Sequence, residues 1–270
     1  SSLTVTGDNK TSPYNATAQN NATYRVTGLL GTDTVSSVSG VASGTTVGTY
    51  NDSLSAAQGT GLANYNITYT NGALTIGKAA LTATGNSTTL TYNGADQSVT
   101  GFTVSGLLGA DTVSSLSSIN AAGATGKNAG SYSNVVSAGT ETNYTVNTVN
   151  GTLKIGRADL SLSGTRVYDA GTTFAGQYLT ATGVAGETFA VTGAGAVNNL
   201  SSKNVRALQT LNNLDGLALG GSTNGGLSSN YNDLTTLGSK VSVTPKSATV
   251  NATANTTDDV TGSTADVRDR

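Results

Sequence analysis

The chain has 270 residues, a formal net charge of −2 and a pI near 4.9, so it offers no basic surface for nucleic acid or an anionic membrane. It holds no His and no Cys, which removes a Ser-His-Asp triad, a cysteine nucleophile, an ordinary zinc site and any disulfide framework. Charged residues make up only 10%, with 47 Thr and 30 Ser in their place, a composition suited to pleated, half-exposed sheets and not to one large Leu/Phe core.

The chain opens with Leu3-Thr-Val5-Thr-Gly7, a short alternating strand that returns as Leu81-Thr-Ala83-Thr-Gly85 and Leu160-Ser-Leu162-Ser-Gly164. A tyrosine turn follows each: Pro13-Tyr14-Asn15-Ala16, Tyr92-Asn93-Gly94-Ala95 and Tyr168-Asp169-Ala170-Gly171. Next come Tyr24-Arg-Val26-Thr-Gly-Leu-Leu-Gly-Thr-Asp33 and its match Phe102-Thr-Val104-Ser-Gly-Leu-Leu-Gly-Ala-Asp111, then Gly-rich middles leading to Thr49-Tyr50 and Ser131-Tyr132. Each unit closes on an Asn-Tyr segment, Asn64 to Ala79 and Asn143 to Ala158, built around Asn71-Gly72 and Asn150-Gly151. Asn-Gly between two alternating runs predicts a β-hairpin with a type I′ turn. In that register Thr70 pairs with Ala73, Tyr69 with Leu74 and Ile67 with Ile76, and Tyr65, Ile67, Tyr69, Leu74 and Ile76 share the buried face.

Tyr14 to Tyr92 is 78 residues, Asp33 to Asp111 is 78 and Asn71 to Asn150 is 79, so the chain is a tandem repeat. The third copy diverges: Asn143-Tyr144 to Asn230-Tyr231 is 87, which places about ten extra residues between Leu200 and Gly226. The expected architecture is all-β, a tandem array of small β-rich domains (β-grasp-like or Ig-like sandwich) forming an elongated rod. Its divisions fall at 1–78, 79–157 and 158–246, with 247–270 the start of a fourth repeat or an exchanged strand. Ala248, Val250, Ala252 and Ala254 alternate with polar residues, which predicts that strand. Linkers of two residues (Gly77-Lys78, Gly156-Arg157, Pro245-Lys246) restrict rotation, and end-to-end contact should add to the stability of such small units.

These residues resemble the MBG and YDG repeats found in tandem in very large secreted bacterial adhesins of the filamentous-haemagglutinin, two-partner secretion kind. Copies one and two are similar to the first type through Tyr14-Asn15 or Tyr92-Asn93-Gly94, Gly-Leu-Leu-Gly-x-Asp, Asn-Tyr and Asn-Gly-x-Leu-x-Ile. Copy three is similar to the second type through Tyr168-Asp169, Ser202-Lys203-Asn204-Val205, Asn230-Tyr231 and Thr244-Pro245-Lys246. The resemblance implies a secreted or cell-surface location and a stalk or fibre role in adhesion or biofilm. It implies no enzyme. The absence of Met is consistent with a processed chain or part of a longer one.

No catalytic, cofactor or metal residue is assigned. Asp33 and Asp111 recur at one turn, which marks them as architectural, an Asx-type turn capping its own backbone. Gly94-Ala-Asp96 and Gly109-Ala-Asp111 are only fragments of a calcium motif, and Asp258-Asp259 with Asp266 and Asp269 reads as a solvated end. Tyr14, Tyr92 and Tyr168 at the turn, and Tyr65, Tyr69 and Tyr144 on the inner face, read as core in preference to a sugar platform. Thr4/Thr6 and Thr82/Thr84 read as the solvent face of strands. Asn-x-Ser/Thr sequons such as Asn9, Asn66 and Asn143 are expected in a chain with 26 Asn and this much Ser and Thr. The expected partners are neighbouring repeats of the same protein, with self-association into filaments through the 248–254 strand and a glycan or matrix polymer at Leu200 to Gly226 as alternatives.

Overall fold

The computed structural model describes residues 1–253. Among them the regular structure is β-strand with short 3-10 turns, as alternating Thr, Val and Ile patterning requires. By packing the described chain divides into two units, the first Ser1–Ala158 with Ser229–Asn232, the second Asp159–Ser228 with residues 233–253.

In the first repeat two three-stranded sheets carry the core. Ser2–Gly7 is central in one, antiparallel to Tyr24–Thr27 and parallel to Asn66–Thr70. Ala73–Gly77 is central in the other, parallel to Lys10–Pro13 and antiparallel to Gly48–Asn51. Two short ribbons, Thr34–Ser39 with Ser55–Thr60 and Gln19–Asn20 with Ser43–Gly44, flank them. The second repeat has the same plan: Ala79–Gly85 between Phe102–Ser105 and Tyr144–Val149, and Gly151–Gly156 between Thr88–Thr91 and Gly130–Asn134. The alternate residues Leu3 and Val5, Leu74 and Ile76, Leu81 and Ala83, Leu153 and Ile155 are all buried.

The expected Asn-Gly hairpin is not formed. Tyr69 pairs with Val5 and Thr70 with Thr6, whereas Leu74 pairs with Lys10 and Tyr50. The closing strand therefore leaves one sheet at Asn71-Gly72 and enters the other, alongside the opening strand, which crosses in parallel at Gly7-Asp8-Asn9. Neither Asn71 nor Gly72 has positive φ. The glycine is needed for close approach instead: a Cβ at Gly72 would lie 2.2 Å from the Asp8 carbonyl oxygen and 2.6 Å from that of Gly7. Gly151 meets the carbonyls of Asn86 and Gly85 at the same two distances. The asparagine side chain ties down the next segment, Asn71 Oδ1 accepting from Leu54 N at 2.8 Å and Asn150 Oδ1 from Val136 N at 3.0 Å. The face expected for Leu74 and Ile76 is buried, but Ile67 and Tyr69 are half-buried in the other sheet, with Tyr65 half-buried just ahead of it.

In the second unit one six-stranded sheet runs Arg206–Gln209, Lys240–Thr244, Ser161–Val167, Leu179–Thr182, Thr188–Thr192, Ala218–Ser222. The opening and closing strands are again parallel, Arg166 opposite Val243. The stretch from Leu200 to Gly226, in which the extra residues fall, contributes two of these strands and two buried leucines, Leu200 and Leu211. Arg166 is buried, its guanidinium donating to the Gly171 carbonyl at 2.7 Å, lying 3.0 Å from Asp169 and over the Phe174 ring. The strand expected at 248–254 is not present over residues 248–253, which are exposed and without regular structure. Ala254 and the acidic residues Asp258, Asp259, Asp266 and Asp269 lie outside the described residues.

Candidate functional site: the junction between repeats

The tyrosine turn is built locally. In the first repeat Tyr14 N donates to the Gly77 carbonyl at 2.8 Å, while Asn15 Oδ1 accepts from Thr17 N and holds the loop beyond it in an Asx turn. In the second, Tyr92 N donates to Gly156 at 2.8 Å and Asn93 Oδ1 accepts from Ala95 N. The turn thus anchors to the closing strand of its own repeat and presents the tyrosine outward from that end.

What meets Tyr14 is the second repeat. Its ring stands edge-on to Tyr144, with centroids 5.4 Å apart and planes at 81°, a favourable quadrupole geometry. The Tyr14 hydroxyl donates to Asp111 Oδ2 at 2.8 Å, and the Tyr144 hydroxyl donates to the same oxygen. Leu108 N donates in turn to the Tyr144 hydroxyl at 3.2 Å. Beside the rings, Val47 N of the first repeat donates to Asn143 Oδ1 at 3.1 Å, while Ala79 N is held by the Asn143 carbonyl. Tyr14, Ala42, Leu74 and Ile76 form one continuous cluster with Leu81 and Tyr144, so the core runs through the junction.

The ring and amide contacts of this arrangement recur within the first unit around Ser229–Asn232. Tyr231 stands edge-on to Tyr92 at 5.5 Å and 85°, Ala129 N donates to Asn230 Oδ1 at 2.8 Å, and Ala158 N donates to the Asn230 carbonyl. Asn-Tyr is therefore a two-residue reader. Its amide takes a backbone N–H from the Gly-rich turn, and its ring takes the tyrosine.

Burial of the hydroxyl, followed by its hydrogen bond to the Asp111 carboxylate, pushes the Tyr14 pKa up to about 12. Tyr144 is raised for the same reasons, burial first. Tyr65 is raised chiefly by its hydrogen bond to Asp33. Nearby, Glu141 accepts from Ser117 N and from Ser118 N and Oγ at 2.6–3.0 Å, and the Ser118 hydroxyl bond leads in lowering its pKa, with Lys78 adding a smaller favourable charge. The arrangement brings together acceptors, neutral hydroxyls and rings; its chemistry is recognition of a neighbouring surface.

Asp33 and Asp111 are architectural, but not by capping their own backbone. Asp111 joins two tyrosines from different repeats, and Asp33 accepts from Tyr65 Oη at 2.7 Å. Tyr14, Tyr92 and Tyr144 are core, as expected, and Tyr168 is half-buried. Tyr69 is tied instead to Ala57 N through its hydroxyl. Asp96 is exposed, and among the described residues no three acidic groups gather as a metal-ligand set. The buried residues Asp52 and Asn134 were not singled out by sequence reasoning. They stand at matching places after Tyr50 and Tyr132, a spacing that could have revealed them.

The MBG domain family, YGX type, matches residues 3–75 and 81–154. No curated protein and no solved structure matches the chain. The two matched segments contain both halves of the Tyr14–Asp111–Tyr144 junction, and together they span more than half of the chain. The chain belongs to the MBG domain family of the YGX type, present as two tandem copies.

Proposed function

We propose that this chain is a structural segment of a secreted or cell-surface adhesin-like protein, a stalk or fibre element that spaces an adhesive part and performs no catalysis. The observation that carries the reading is the junction, in which one repeat's tyrosine turn is received by the next repeat's Asn-Tyr and aspartate. A continuous core across a junction with only Lys78 between the strands of the two repeats transmits load and orientation, as repeat arrays do. Membership of the MBG family supports the surface location, and a sequence without His or Cys supports the non-catalytic role.

The test has two arms. Antibody raised against the chain should label intact producing cells, and labelling only after lysis would overturn the location. Replacing residues 1–157 by an unrelated rigid domain array of equal length should preserve adhesion if spacing is the role. Loss of adhesion with that substitute, at equal surface display, would assign binding to the segment itself.

A further inference from the structure

The head of the first repeat carries the same receiving residues as the head of the second, without the tyrosine that fills the latter. Leu30 N donates to the Tyr65 hydroxyl at 2.9 Å, and that hydroxyl donates to Asp33 Oδ2 at 2.7 Å, matching Leu108, Tyr144 and Asp111. The Asn64 carbonyl holds Ser1 N as the Asn143 carbonyl holds Ala79 N. The surroundings differ in one respect, which is cover. Tyr144 is buried and Leu108 is packed into the junction cluster, whereas Tyr65 is half-exposed and Leu30 is 59% exposed. A Cβ on Gly109 would lie 2.7 Å from the Ala16 Cβ of the preceding repeat, while nothing lies within 4 Å of the same position at Gly31.

We infer that the Leu30, Asp33, Asn64 and Tyr65 face is a docking site for the tyrosine-turn end of another MBG-type unit. The occupant is specified by the filled junction. Its tyrosine stands edge-on to Tyr65 and donates its hydroxyl to Asp33. A backbone N–H from its Gly-rich turn reaches Asn64 Oδ1, and a small residue after its tyrosine lies against Gly31. Asp33 is suited to the second donor because a carboxylate oxygen has more than one acceptor site, and Asp111 Oδ2 already takes two tyrosine hydroxyls. The apolar contribution is the covering of Leu30 and of the Tyr65 ring, the same kinds of group covered at the internal junction. The inference rests on the reading of the chain as an array segment, and it is independent of where that array is displayed.

The experiment adds one further copy of residues 1–78 ahead of Ser1 in the full chain and follows amide hydrogen exchange at Leu30 and Leu108. Leu108 monitors the internal junction: Tyr14→Phe in the original first repeat should speed its exchange about tenfold, and no response there would count against the array reading itself. With the internal junction responding, the added unit should slow exchange at Leu30 about tenfold, and Leu30→Asp should shift the Tyr65 ring resonances back to those of the unextended chain. Tyr14→Phe in the added unit and Asp33→Asn should each remove the protection, and both together should remove no more than one alone. Unchanged Leu30 exchange beside a folded added unit, one whose own strand amides are protected, would overturn the docking site and leave the array reading standing.

Discussion

The two matched repeats have the same pair of three-stranded sheets, the same crossing and the same closing glycine, yet they solve one buried polar problem differently. Where the parallel strands cross between sheets, several backbone groups lose their ladder partners and must be satisfied from side chains. In the first repeat two residues do this: Asp52 accepts from Ala42 N at 2.7 Å and Gly72 N at 3.0 Å, and Asn21 Nδ2 donates to the Asp8 carbonyl and to Asp52. In the second repeat Asn134 acts alone, accepting from Gly123 N at 2.8 Å and donating to the Asn86 and Gly101 carbonyls. Val99 stands where the first repeat has Asn21. The crossing is thus the shared feature, and the polar residues that serve it differ between the repeats.

The largest effects are expected at the residues the repeats share. Gly72→Ala and Gly151→Ala should each destabilise their own repeat by about 3 kcal/mol or more, since the new methyl meets backbone carbonyls that cannot move aside. Native-state hydrogen exchange on Ser2–Gly7 and Ala79–Gly85 amides reads the two repeats separately, which a single melting curve of a multi-domain chain does not. Equal losses are expected in both.

A smaller effect sharpens the difference. Asp52→Ala should cost the first repeat about 3 kcal/mol because it strands several buried donors at once. Asp52→Asn should cost about 1–2 kcal/mol by turning an amide NH2 on donors that need an acceptor. Combining Asp52→Asn with Asn21→Val copies the second repeat's solution. It should be less damaging than the sum of the singles by about 1 kcal/mol, whereas simple additivity would show that the sets are not equivalent.

At the junction, Tyr14→Phe removes a buried hydroxyl from a carboxylate and should cost about 1.5 kcal/mol, read as faster exchange at Leu108. Tyr65→Phe, at the uncovered head, should cost less. The smallest effects are those of pH. Tyr14 has its pKa raised to about 12 from 10.0, so the neutral hydroxyl is favoured in the folded state. Its contribution is intact below pH 10 and is lost as pH rises toward and through about 12. Glu141 has its pKa lowered from 4.5, so its contribution is present above that value and is lost as pH falls below it. Glu141→Gln should flatten the acid limb alone, and Tyr14→Phe the alkaline limb alone, in exchange profiles of the second repeat's head.

Much of this was legible in sequence where the physics is local. The alternation of Leu3 and Val5, or of Leu153 and Ile155, with Thr or Lys requires strands with one buried face, and the structure buries those residues. The constant offset of Tyr14 to Tyr92 and Asp33 to Asp111 reveals the repeat. Asn71-Gly72 predicts a hairpin that does not form, because Asn-Gly marks close backbone approach and a type I′ turn is only one way to achieve it. Residues 248–253 form no strand within this chain, because alternation of Ala and Thr makes a strand only where an edge is available to pair with it. The candidate site was half legible. The sequence marks Asp111, Tyr14 and Tyr144 as recurring, but it does not say that one carboxylate joins tyrosines from two different repeats.

The sequence by itself determined the all-β character, the period, the buried alternate residues and the absence of His and Cys, because each follows from residue chemistry or from spacing along one chain. The tertiary structure decided which strands pair. The opening and closing strands of a repeat are about sixty residues apart and run parallel, and their register depends on carbonyls meeting a glycine across that gap. It also decided what Asn-Tyr is for. Tyr65 and Tyr144 are nearly alike in sequence context, and only the presence of Tyr14 beside one of them separates a covered junction from an open one.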